Sequence, residues 1–156
     1  MKIIDVLLAN LDEAYERKAW HGTNLRGALR GLTIPQLTWR PEEGRNSIWE
    51  LAGHAAYWKY AVRRRLTGEK RGSFPLKGSN FFPQPERANE EGWREVLAVL
   101  DGAHRSLREA VANLPAAALA DPKKVRTIYG VAAHDLYHTG QIQLLKRLQR
   151  GTDSAS

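Results

Sequence analysis

The chain contains no cysteine among its 156 residues. That absence excludes disulfide bonds, thiolate metal ligands and a cysteine nucleophile, so any thiol chemistry would need a thiol from outside. No apolar run approaches the roughly 20 residues that cross a bilayer, and the start Met1-Lys2-Ile3-Ile4-Asp5 lacks the apolar core of a secretion signal. The expectation is a cytoplasmic protein with no membrane partner. Acidic residues are in deficit, with 17 Asp and Glu against 24 Lys and Arg and a net charge of +7. Such a balance attracts phosphate whatever the fold. The basic residues are scattered, however, and the one local cluster, Lys59, Arg63, Arg64, Arg65, Lys70 and Arg71, falls at a helix end, where cations also favour the dipole. It supplies charge without the interleaved aromatics of a nucleic-acid surface, so it is read as solvated surface.

What is present is helical pattern. Hydrophobic residues make up 42% of the chain and five tryptophans supply large core pieces, enough for one domain over residues 1–150, with 151–156 as a polar, flexible tail. Four amphipathic stretches predict helices near residues 3–30, 47–67, 89–114 and 127–149, with no convincing strand, and hence an all-α four-helix bundle with roughly antiparallel helices and long connections. Trp20-His21-Gly22-Thr23 breaks the first helix, because Gly22 is a poor interior residue and Thr23 a good cap. Ser47-Ile48-Trp49-Glu50 is a capping box that opens the second. Gly68 to Asn89 has no periodicity but carries Phe74, Leu76, Phe81 and Phe82, which predicts an ordered loop lying over the bundle and, as a second reading, a lid over a site.

Two histidines lie on the inward side of the last helix. At 100° per residue Val131, His134, His138, Gln141, Ile142, Leu145 and Leu148 share one face, while Gln143, Lys146, Arg147 and Arg150 point away. Burying imidazoles costs free energy unless their nitrogens find partners, and two imidazoles one turn apart can share a metal ion. The pair alone is equally consistent with hydrogen-bonded core histidines. His54 lies at the edge of the buried stripe of the second helix and is the third histidine such a site needs. His104, inward on the third helix, reads as a core residue. His21, at the break in the first helix, is either aimed at the centre or exposed at a helix end.

Three segments, Ala19-Trp20-His21-Gly22, Ser47-Ile48-Trp49-Glu50-Leu51-Ala52-Gly53-His54 and Tyr129 to Ile142 with its His-x-x-Tyr-His-x-Gly-Gln-Ile core, together resemble the DinB superfamily, the DinB and YfiT-like metalloenzymes. The resemblance spans nearly the whole chain. It implies a four-helix bundle that binds a divalent metal, zinc or nickel, through one histidine of the second helix and two of the last, which fall on His54, His134 and His138. It further implies a hydrolase or thiol S-transferase acting on a small molecule, with an external low-molecular-weight thiol as possible co-substrate. The alternative is a non-catalytic metal-binding protein of the stress or DNA-damage response.

Three neutral imidazoles leave a coordination position open, the arrangement of catalytic rather than structural zinc. Zinc so held can lower the pKa of bound water to about 7 or hold a thiol as thiolate. Gln141, one turn beyond His138, is placed to hydrogen-bond a ligand or substrate. Glu50, Asp135 and Tyr137 are further polar candidates, each with a plainer alternative: Glu50 used up by its capping box, Asp135 facing solvent or a neighbouring helix, Tyr137 in the core. A fourth protein ligand, Glu50 or His21, would close the site. Leu136 with Ala133 and Gly140 forms a small apolar strip on the outer side of the last helix, which predicts a homodimer.

Overall fold

Ser47 starts the helix on which the architecture turns. Its hydroxyl accepts from the Glu50 amide, and the Glu50 carboxylate returns to the Ser47 amide at 3.0 Å. The helix then runs Ile48–Thr67 and stops at Gly68, whose φ of 74° is the left-handed conformation that ends helices. The computed structural model describes residues 1–72 and 74–153, and among these no strand forms. In chain order the helices are α1 (Ile3–Tyr15), α2 (Leu25–Ala28), α3 (Ile34–Thr38), α4 (Ile48–Thr67), α5 (Glu90–Ala112) and α6 (Pro122–Asp153), with a 3-10 turn at Ala116–Ala120. The long helix α4 packs against α5 and α6, and α1 packs against α6 and α5.

Three boundaries depart from the sequence reading. The first helix ends at Tyr15, not near residue 30, and the interruption extends well beyond His21–Thr23. Asn24 explains this: its side chain caps α2 through the Gly27 amide at 2.8 Å and donates to the Arg17 carbonyl at 2.8 Å, holding the chain in a turn where apolar spacing alone suggested continuity. The connection expected between residues 30 and 47 contains α3, opened by a capping box of Thr33 and Gln36. The last helix begins at Pro122 rather than Thr127, because Asp121 accepts from the Lys123 amide and Pro122 needs no donor at the first helical position. It continues through Asp153; the rest of the predicted tail, 154–156, lies outside the described residues.

The interior divides into two apolar halves. One gathers Tyr15, Leu25, Leu37, Ile48, Trp49, Trp93, Leu100 and Ile142; the other gathers Leu7, Leu11, Val62, Leu66, Leu107, Val111, Ile128 and Val131. On α4 the residue between the halves is Lys59, on α5 it is His104 and on α6 it is Asp135, all buried. A polar layer therefore crosses the middle of the molecule, and the histidines at 134 and 138 flank it in sequence.

Candidate metal centre

His54 reaches the interior because α4 buries the stripe Leu51, Ala55, Val62 and Leu66 beside it, and α6 presents His134 and His138 one turn apart. The three rings meet. His134 Nε2 lies 3.1 Å from His54 Nε2 and 3.0 Å from His138 Nε2, and the three candidate ligand atoms fall within 4.8 Å of one another. His54 and His138 are buried, and His134 is partly buried.

The far side of two rings is committed outward. His54 Nδ1–H donates to the Asn80 carbonyl at 2.7 Å, and His138 Nδ1–H donates to Gln141 Oε1 at 2.6 Å. A neutral imidazole carries one N–H, so these bonds leave both Nε2 atoms as bare lone pairs facing His134. The His134 ring can give at most one proton to that group, since its own Nδ1 is buried without a partner. Three nitrogens that converge with at most one proton among them lack a positive partner, and one cation would satisfy all three. Tetrahedral ligands about 2.0–2.1 Å from zinc stand about 3.3 Å apart, close to the two separations measured from His134. The side chains thus fit a divalent ion.

Electrostatics keeps the rings neutral. Burial holds His54 below the usual histidine range against the raising effect of its bond to Asn80. Burial, aided by His54, does the same for His138 against its bond to Gln141. His134 is pushed down to about 3 by burial, then by His138, His54 and Lys59. Neutral imidazole is the form that binds metal.

An aromatic surround frames the cluster. Phe81 stacks on His54 with ring centroids 3.9 Å apart and planes 7° from parallel. Trp58 stands 6.0 Å from His134, and Tyr137 stands 5.1 Å from His138. The Tyr137 ring is 65% exposed, so it belongs to the rim and not the core. Of the stretch after Gly68, Phe74, Leu76 and Phe82 pack on α4, over the bundle as the aromatics predict, and Phe81 also touches the site.

The other candidates lie elsewhere. Glu50 is buried; although burial raises its pKa, the Arg40 guanidinium at 2.6 and 2.7 Å and the amides of Ser47 and Gln84 hold it below the ordinary range. Those partners occupy both oxygens, so Glu50 ties α4 to the preceding loop. His21 lines a groove of about 510 Å³ with Thr23, Leu136, Thr139, Gly140 and Gln143, away from the triad. Asp135 does not face solvent; it is fully buried and paired with Lys59 of α4. Lys59 is accordingly no member of the surface basic cluster, because α4 turns it inward while Arg65 stays exposed. Burial pushes the Asp135 carboxyl up, and Lys59 opposes that. Sequence reasoning missed Asn80, whose contribution is a backbone carbonyl; the only available signal was a Gly-Ser-Asn turn in an aromatic loop.

Among the described residues the fold is all-helical and brings three imidazoles of two long helices into one group that could hold a metal ion. A sequence model of the DinB superfamily matches residues 18–142, so the chain belongs to the DinB superfamily. Neither the curated proteins nor the solved structures compared with it include a match.

Proposed function

We propose that α1, α4, α5 and α6 form a DinB-type four-helix bundle, a single domain over residues 1–150, in which His54, His134 and His138 hold one divalent ion, zinc or nickel, for catalysis on a small molecule. The observation that carries this reading is the convergence of three Nε2 atoms with at most one proton among them. A bound ion supplies a Lewis-acid centre with a position left for a non-protein ligand.

The chain's own residues support an open site. Among the described residues the group of metal-competent side chains has three members, and the two candidates for a fourth are engaged elsewhere, Glu50 by Arg40 and His21 in its separate groove. His134 is the least buried of the three, which favours an approach from its side, while Phe81 and Trp58 flank His54. Gln141 orients His138 rather than the substrate. With Asp135 neutralised by Lys59, the exposed Tyr137 hydroxyl is the side chain best placed to touch a substrate at the rim. The reaction class is hydrolysis or thiol S-transfer, the latter with an external low-molecular-weight thiol because the chain has no cysteine. A cytoplasmic location fits this reading, and no helix among the described residues is long and apolar enough to cross a membrane.

The test is turnover of an activated ester, and of an electrophile with a small thiol. Activity should disappear on chelation, return with metal, and be absent in His138→Ala. Activity that survives chelation contradicts the proposal, and a metal-loaded protein inactive in both assays would instead be a metal-binding protein without turnover.

A further inference from the structure

We propose that Asn80 is a positioning residue for the histidine cluster: clamped to Trp58, it fixes His54 as the Nδ1–H tautomer and so turns a bare Nε2 toward His134 and His138. The significance for metal binding rests on the function proposed above; the clamp itself does not.

The geometry is a two-point clasp. His54 and Trp58 sit one turn apart on α4 and present two ring N–H donors on the same side. Asn80 supplies both acceptors: its backbone carbonyl takes His54 Nδ1–H at 2.7 Å, and its side-chain Oδ1 takes Trp58 Nε1–H at 2.9 Å. Meeting both at once demands an unusual backbone. Asn80 has a φ of 65°, the only positive φ outside glycine among the described residues, and asparagine is among the residues that tolerate it best. Ser79 and Phe81 bridge across it, so the chain turns sharply at Asn80 and thrusts its carbonyl at the helix.

The loop is held close enough for this by packing on Gly53. A side chain at that position would meet Leu76 at 3.3 Å and Phe82 at 3.6 Å, and Phe82 is buried there. Phe81, next in sequence, then covers the face of the His54 ring. His54 is thus fixed at its edge by Asn80 and over its face by Phe81. The two outward contacts of the cluster differ in origin: His138 is oriented by Gln141 three residues along its own helix, whereas the partner of His54 lies 26 residues away in a loop. Folding of α4 alone cannot select the His54 tautomer; docking of the loop must.

The experiment compares the parent with Trp58→Phe, which removes one donor and keeps an aromatic ring, and Asn80→Gly, which keeps the backbone conformation and removes the side-chain acceptor. Imidazole nitrogen-15 NMR on the metal-free proteins reads the tautomer, cobalt(II) titration reads affinity, and thermal melts confirm folding. The parent should show His54 as Nδ1–H. Both variants should show a mixture of tautomers and a cobalt(II) affinity about tenfold to hundredfold weaker, the range for residues that orient a ligand from outside. Asn80→Ala should be weaker still, because alanine resists positive φ. An unchanged Nδ1–H tautomer in both folded variants, with cobalt(II) affinity within about twofold of the parent, would overturn the proposal. If the parent binds no cobalt(II) yet its His54 tautomer shifts in the variants as expected, the clasp stands and the metal reading fails.

Discussion

His104 shows what this interior does to an imidazole outside the cluster. Its Nδ1 accepts from Lys59 Nζ at 3.4 Å, its ring stacks 3.9 Å from Tyr15, and its Nε2 is unpartnered, 4.0 Å from a carboxylate oxygen of Asp12. Burial, followed by the charges of Lys59, Arg108 and Arg105, pushes its pKa down to about 3. In the unfolded chain the ring titrates near 6.5, so below that pH the unfolded state binds the extra proton. The associated stability is therefore complete above about pH 6.5 and is lost as pH falls toward 3, by up to about 1.4 kcal/mol per pH unit. Urea unfolding between pH 7 and pH 4.5 should show a steeper loss in the parent than in His104→Phe, the difference approaching one proton. Equal slopes would mean that His104 takes up its proton alike in both states.

At the scale of elements, the decisive contact is the ion pair that joins α4 to α6 inside the polar layer, with Lys59 and Asp135 both fully buried. Removing one partner strands the other charge, which in buried pairs costs about 3–5 kcal/mol, whereas replacing both with apolar groups is often neutral. Lys59→Met should therefore lower stability by about that amount, and Lys59→Met with Asp135→Leu should recover most of it; chemical denaturation measures both. A double variant no more stable than the single would show that the pair contributes more than mutual neutralisation. This pair was hard to read beforehand, since Lys59 sits four residues before Arg63 and looks like part of a basic surface run. The helix ends were legible where side chains do the capping in a known pattern, as Ser47 and Glu50 do for α4. They depart from the pattern where apolar spacing runs on through Asn24, and where the last helix, expected from residue 127, opens at Pro122.

For the whole molecule, the strip of α6 that faces away from the bundle bears on assembly. Ala133, Gly140, Leu144 and Leu148 share one side of that helix, with Leu144 56% and Leu148 44% exposed, so Leu148 lies outside the core it was expected to join, whereas Leu136, expected in the strip, is partly buried against the core. We propose that this strip pairs two copies. Sedimentation should then give a dimer at micromolar concentration and a monomer for Leu144→Glu; a parent that is monomeric there contradicts the pairing. The candidate site was legible to the extent that helical periodicity governs it: the inward faces of α4 and α6 point to His54, His134, His138 and Gln141 without reference to any loop. The share contributed by Asn80 was not, because a backbone carbonyl has no residue signature and its direction depends on a turn folded against a distant helix. The central claim is that the three imidazoles hold one ion, and metal content after equilibrium dialysis against zinc or nickel tests it most directly. The expected result is close to one ion per chain in the parent and in His104→Ala, and nearly none in His54→Ala, His134→Ala or His138→Ala. Metal content unchanged in all three triad variants would contradict it.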